Sequence, residues 1–225
     1  MDGSTIMEDS ILISKASSEK DQLLAVLGRD VFFRCAVKHI AEGVFGKDRV
    51  LTYRSSNDFL RALSDNDKVN TAIVDYDVLY SENFSLLDAI NDYFPKLNNI
   101  VVISNPNIQL VSLIRSLNIN KIISAKDDIS SFIKVLTIER HEEYYSPRII
   151  RKIKNMSIKP PLLTIMERYV LKNLIKGVSP RLIATWKGIS IKTVSTHKNK
   201  ALNKINVGNL NDLVLRNKIN VAYRK

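Results

Sequence analysis

The amino-acid sequence predicts two domains: an α/β doubly wound domain on a five-stranded parallel sheet, then a small all-α domain of four helices. Three observations carry that expectation. Short apolar runs alternate five times with amphipathic segments up to about residue 140, the rhythm of strands joined by crossover helices. A basic connector ending in Pro160-Pro161 then interrupts the pattern, and paired prolines favour extended chain over helix. Beyond the prolines, helix start and stop signals follow one another closely. The expected division is a loose extension over 1–20, the α/β domain over 21–140, a linker over 141–161 and the helical domain over 162–225.

In the first domain, QLLAVL (22–27) reads as a buried strand, and DVFFRCAVKHIAEGVF (30–45) as a helix. Val31, Phe32, Cys35, Ala36 and His39/Ile40 are expected near one face of that helix. RVLTY (49–53) is the second strand, followed by a helix with Ser56 as its expected N-cap. TAIVDY (71–76), NIVVIS (99–104) and KIISA (121–125) are the remaining strands. A helix is expected after each, the last over about 128–139.

In the second domain, Thr164 and Glu167 have the spacing of a capping box, in which each side chain takes a backbone donor at a helix start. Val170, Leu171, Leu174 and Ile175 form its apolar face, and Gly177 stands at the C-cap. Ser179-Pro180 opens a short second helix, as N-cap and first-turn proline. Gly188 permits a tight turn, Ser190 caps a third helix running to about Ile205, and a fourth covers VGNLNDLVLRNK (207–218). Two helices joined by a tight turn within such a unit form a helix-turn-helix.

The third helix carries four lysines and a histidine between Gly188 and Ile205, and no acidic residue. At about 100° per residue, Ile191, Val194, Ala201 and Ile205 share one side with Leu202 beside them. The opposite side carries Lys192, Thr196, Asn199, Lys200 and Asn203, flanked by Thr193 and Ser195. Lysine contacts guanine or phosphate, Asn pairs with adenine, and Ser/Thr offer short donors and a methyl group, so this face suits a DNA major groove. A solvated basic helix is the plainer alternative; charge alone would suit DNA, RNA or an anionic lipid surface, and the capped helix-turn-helix context together with the charge of the module favours DNA. The chain carries a net charge of +11, distributed as −5 over 1–145 (16 Lys/Arg, 21 Asp/Glu) and +16 over 146–225 (18 Lys/Arg, Glu167 and Asp212). Such asymmetry points the second module at a polyanion.

Composition excludes other classes. Apolar residues at 45% support a packed core, and no apolar run reaches the roughly 18 residues of a membrane span. The acidic, weakly apolar N-terminus does not read as a signal peptide. One cysteine, Cys35, excludes an internal disulfide and suits a cytoplasmic location. No metal cluster, nucleophile–base pair or glycine-rich phosphate loop is visible, so neither an enzyme nor a cofactor is expected.

The stretch 162–207 resembles the LuxR/GerE-type helix-turn-helix that ends NarL/FixJ response regulators. The resemblance rests on Leu163-Thr164, Glu167, Val170-Leu171, Gly177, Ser179, Ile183-Ala184, Ser190, Lys192-Thr193-Val194, His197 and Lys204, in spacing kept over more than forty residues. SIKTVSTHKNKALNKI looks most like the Rcs-type capsule regulators of that family. The resemblance implies that Lys192, Thr193, Ser195, Thr196, Asn199 and Lys200 lie in or beside the major groove. It also implies that the helix around 210–218 dimerises, with Leu213 and Val214 serving the contact or the core. Trp186-Lys187 departs from the family pattern, which has an apolar second residue, so the scaffold helix ends early or packs differently and Ser179 and Arg181 are open as phosphate contacts.

The first domain looks like the receiver of the same family. Asp75 stands where a receiver's phospho-acceptor belongs, Ser104 at the hydroxyl switch position, and the expected lysine on Ala125 or Lys126. The acidic pair that would hold Mg²⁺ reads Val26-Leu27-Gly28-Arg29 instead, and one carboxylate is a poor site for an ion wanting several oxygens. The expected protein is therefore a bacterial transcription regulator that binds promoter DNA without phosphorylation, as a homodimer or with another regulator, RNA polymerase being a further partner. A conventional regulator phosphorylated at Asp75, and a sequence-independent nucleic-acid-binding protein, are the alternatives.

Overall fold

A computed structural model describes residues 22–82, 84–153 and 162–211. Six parallel strands form one sheet: β1 (Leu23–Leu27), β2 (Val50–Tyr53), β3 (Val69–Asp75), β4 (Asn98–Ile103), β5 (Lys121–Ser124) and β6 (Tyr144–Tyr145). Their order is β2-β1-β3-β4-β5-β6. The chain reverses its direction of travel between β1 and β3, so the carboxyl ends of these strands, Leu27 and Asp75, lie at the switch point where doubly wound sheets place their sites.

Alternation along each strand sends residues to both faces. Leu24, Val26, Ile73, Ile100, Val102 and Ile123 meet Val37 and Ala41 of α1 (Val31–Phe45) and Phe132, Val135 and Leu136 of α6 (Ile129–Thr137). Ala25, Leu27, Ala72, Val74, Val101 and Ile103 face α2 (Ser56–Asp65), α3 (Tyr76–Ser81), α4 (Ser85–Tyr93) and α5 (Ile108–Ser116). Burial on both sides is why these strands read as near-continuous apolar runs.

Three details differ from the sequence expectation. α1 buries Val37 and Ala41, with Phe33, Ile40 and Val44 packed beside them, while Val31, Phe32, Cys35, Ala36 and His39 face outward. Apolar side chains occur on both sides of this helix, so periodicity alone leaves its phase open. Asp30 sets the start by accepting the Phe32 and Phe33 amides. Ser55, not Ser56, is the N-cap of α2, and Ser56 Oγ instead donates to Glu82. The segment 141–153 is structured: it adds the sixth strand, β6, and a helix α7 (Pro147–Ile153). The expected extension 1–20, the Pro-Pro connector and the helix beyond Asn211, with Leu213 and Val214, lie outside the described residues.

α7 is fastened to the sheet by one carboxylate. Asp127 accepts from the Ser124 amide (3.2 Å), the Ser146 hydroxyl and the Arg148 amide (3.1 Å). Its side chain is 3% exposed, so these charge-assisted bonds are shielded from water. The helical domain follows as α8 (Ile165–Ile175), α9 (Pro180–Lys187) and α10 (Ile191–Lys204).

Candidate nucleic-acid interface

α8, α9 and α10 pack around Val170, Leu174, Ile183, Ala184 and Val194. Each start is set by a side-chain cap. Thr164 and Glu167 form the full capping box, with Thr164 N donating to Glu167 Oε2 at 2.8 Å and Glu167 N to Thr164 Oγ1 at 3.3 Å. Ser179 accepts the Leu182 amide with Pro180 in the first turn, and Ser190 accepts the Thr193 amide at 3.0 Å. Gly188, at φ +62°, ends α9 in the left-handed region and swings the chain into α10.

Lys204, at the far end of α10, donates to Glu167 Oε2 at 2.7 Å. Burial pushes the Glu167 carboxyl up, but the hydrogen bonds from Lys204 and Thr164 and the Lys204 charge outweigh it and hold the group below its ordinary value. The start of α8 is thereby tied to the end of α10. Glu167 is also the lone acidic residue between 162 and 211, against nine Lys/Arg, and it is 3% exposed. The surface of the described helical domain therefore offers no carboxylate to repel a phosphate.

On α10, Val194, Ala201 and Leu202 are buried, as is Ile205 just beyond it. Ile191, the first residue of the helix, is half exposed, contrary to the face expected of it. Lys192, Thr196, Asn199 and Lys200 are exposed along the outer side, with Thr193, Ser195, His197 and Lys198 partly covered. Thr193 Oγ1 lies 2.8 Å from Ser190 Oγ, so its hydroxyl belongs to the cap. Thr196 Oγ1 donates to the Lys192 carbonyl at 3.0 Å, which leaves its methyl group and oxygen lone pairs to face outward. α9 continues through Lys187 and does not end early. Trp186 is half exposed, and Lys187 Nζ sits 4.2 Å from the Tyr169 ring centroid, a cation–π contact that composition alone does not reveal. Ser179 and Arg181 are exposed beside the start of α9. Lys172 and Lys176 turn the other way, onto Asp88 of α4, a partner that no local pattern marks.

At the sheet switch point, Asp75 is 3% exposed and accepts the Asp77 amide at 3.2 Å, capping α3. Gly28 follows β1, where a receiver's acidic pair belongs. A Cβ built there would stand 2.5 Å from Phe33 Cδ1 and 3.6 Å from Asp75 Cβ, so the Phe33 ring occupies the space a side chain at 28 would need. Arg34 Nη1 donates to the Gly28 and Arg29 carbonyls (2.6 and 2.9 Å), and the next acid, Asp30, is spent on capping α1. Among the described residues no three His, Cys, Asp or Glu side chains gather as a metal site. These residues do not fit the Mg²⁺ of a receiver. Ser104 follows β4, and Lys126, not Ala125, supplies the nearby lysine, with its Nζ bonded to Asn105 Oδ1 at 2.9 Å.

Residues 161–216 match the family model of bacterial regulatory proteins of the luxR family. The transcriptional regulatory protein RcsB of Escherichia coli (strain K12) is 28% identical over 142 residues, covering 61% of this chain and 65% of RcsB. RcsB of Salmonella typhimurium (strain LT2) matches to the same extent. The alignment thus spans just under two thirds of the length of these curated relatives. Among solved structures, RcsB from Salmonella enterica serovar Typhimurium bound to promoter rprA with phosphomimetic BeF3⁻ superposes with a TM-score of 0.54. It is 22% identical and covers 88% of this chain and 98% of that one. A two-component response regulator RcsB–DNA complex gives 0.54 at 20% identity, over 91% and 99%. The fold is therefore that of a receiver-like sheet followed by a luxR-type helix-turn-helix.

Proposed function

We propose that this chain, an RcsB-like response regulator in architecture with a luxR-type C-terminal domain, is a DNA-binding regulator of transcription that works without phosphorylation. The observation that carries the DNA reading is the outer face of α10. Lys192, Thr196, Asn199 and Lys200 stand exposed on a capped, rigidly packed helix, in a domain whose described surface lacks carboxylates. Thr193 and Ser195 flank that face, and Thr193 steadies its first turn through Ser190. A sequence-indifferent binder needs only charge; Asn199 and the Thr196 methyl add groups that distinguish bases.

Independence from phosphate is supported at the switch point. Phosphotransfer to a receiver aspartate needs a divalent ion held beside it, and Gly28, Phe33 and Arg34 take up the place of its ligands. The solved RcsB structures include two RcsB dimers bound to two parallel DNAs. By that likeness the chain acts as a homodimer, or pairs with another regulator, on promoter DNA, with RNA polymerase as the downstream partner in the cytoplasm.

The test is selection of genomic fragments by the purified, unphosphorylated protein at near-physiological salt. A short shared motif is expected, arranged as an inverted repeat if the chain binds as a homodimer. Asp75→Asn should recover the same motif with the same affinity, and incubation with acetyl phosphate and Mg²⁺ should leave the intact mass unchanged. Recovery of fragments without any motif would favour charge-only binding. Phosphate uptake accompanied by tighter binding would restore Asp75 as an acceptor.

A further inference from the structure

Beside the carboxyl ends of β4 and β5 lies a cavity of about 460 Å³ whose lining does not include Asp75. Ser104, Asn105 and Ser124 line it from the sheet, and Lys126, Arg148, Arg151 and Lys152 converge on it from the β5 loop and α7. Four cations therefore share one concavity, and no carboxylate lines it. Among the described residues, the Lys126 ammonium group bonds to the neutral Asn105 amide oxygen, at 2.9 Å. Arg148 is positioned by its Nε, which donates to the Lys126 carbonyl at 2.6 Å and lies 3.9 Å from Asp127 Oδ1, a carboxylate that does not line the cavity. Its Nη groups take no acceptor among the described residues. Nor does any described carboxylate lie within ion-pair distance of Lys126, Arg151 or Lys152.

Like charges gathered in a concavity repel one another, and the field they focus favours an anion. Planar Arg forks and Lys ammonium groups are the side chains that grip phosphate oxygens. The volume lies within the range of small-ligand sites. Ser124 is fully buried, whereas Lys126, Arg148, Arg151 and Lys152 are exposed and free to close on a ligand.

We propose that this cavity binds a small molecule carrying two or more phosphate groups, such as a pyrophosphate or a nucleoside polyphosphate. Three of the four cations belong to α7, which leads into the DNA-binding domain, and Asp127 already fastens the first turn of α7 to the sheet. A ligand bridging Lys126 to Arg151 and Lys152 steadies the rest of that helix against the sheet. Occupancy is thus sensed where the two domains are joined.

Calorimetric titration of the full chain with pyrophosphate at constant ionic strength tests this. The expected result is saturable one-to-one binding, weakened about tenfold by Lys126→Gln and again by Arg151→Gln through loss of a charge-assisted bond each. Both side chains are exposed, and unchanged thermal melts would establish that the variants fold. DNA affinity in the absence of pyrophosphate should not change in either. The proposal is overturned if pyrophosphate shows no saturable binding, or if both variants bind it as the parent does. It is equally overturned if the variants lose DNA affinity while the parent ignores pyrophosphate, since the cavity would then be a duplex contact.

Discussion

Replacing Glu167 by alanine is expected to lower the stability of the helical domain by about 3 kcal/mol, combining a lost cap with a broken, largely buried ion pair. Chemical denaturation followed by the fluorescence of Trp186, the single tryptophan, measures it. The side chain accepts from the Thr164 amide and from Lys204, so its removal frees both ends of the three-helix unit together. Glu167→Gln separates the contributions, because Gln retains the capping geometry and loses the attraction to the ammonium group. The pH dependence has a definite sign. A carboxyl whose folded pKa lies below its unfolded one contributes stability above the unfolded value and loses it as pH falls through the folded value. Glu167 is of this kind. The gap between parent and Glu167→Gln should therefore be full at neutral pH and close as the solution is acidified below the ordinary carboxylate range. A gap that stays constant through that range would show that the charge of Glu167 is irrelevant.

Alanine at Lys192 and Lys200 together is expected to weaken DNA binding about a hundredfold at moderate salt, roughly tenfold for each lost phosphate or base contact. Two lost phosphate contacts should flatten the salt dependence by about two in the log–log slope and affect all sequences alike. Asn199→Ala should behave otherwise: binding to the preferred site falls by about 1–3 kcal/mol, and binding to unrelated DNA hardly moves. Thr196→Ser, which keeps the hydroxyl and deletes the methyl, isolates the apolar part of readout. Competition binding against specific and random duplexes distinguishes the two kinds of loss. Identical behaviour in all of them would mean that the outer face of α10 does not divide into positioning and reading residues.

Much of this was legible in local sequence because the signals are local. A capping box, a Ser-Pro start and a glycine stop each act within one helical turn, so Thr164, Glu167, Ser179, Gly188 and Ser190 declare themselves. Strands buried on both faces announce themselves as apolar runs. The phase of α1 was not legible, since Phe32 and Phe33 are equally apolar and only the sheet decides which one turns inward. β6 was missed because two tyrosines after His-Glu-Glu show no period, and their place depends on pairing with β5. The Asp127 node and the cations around Ser104 are assembled from positions up to 48 residues apart. A charge count for 146–154 hints at basicity but not at convergence. Likewise Glu167 and Lys204 are each visible, while the bond between them needs the folded turn.

The two-residue β6 has a consequence for life in a crowded cell. A sheet ending at β5 would present the unpaired backbone of KIIS to any other unpaired strand. β6 pairs with Lys121 and Ile122 of that edge, and the chain leaves it at once through Ser146 and Pro147, which supplies no amide hydrogen for a further ladder. The join between the domains thus doubles as a guard against stacking: on this side the sheet ends in a two-residue strand followed by proline, a short edge that disfavours strand-by-strand extension into a filament.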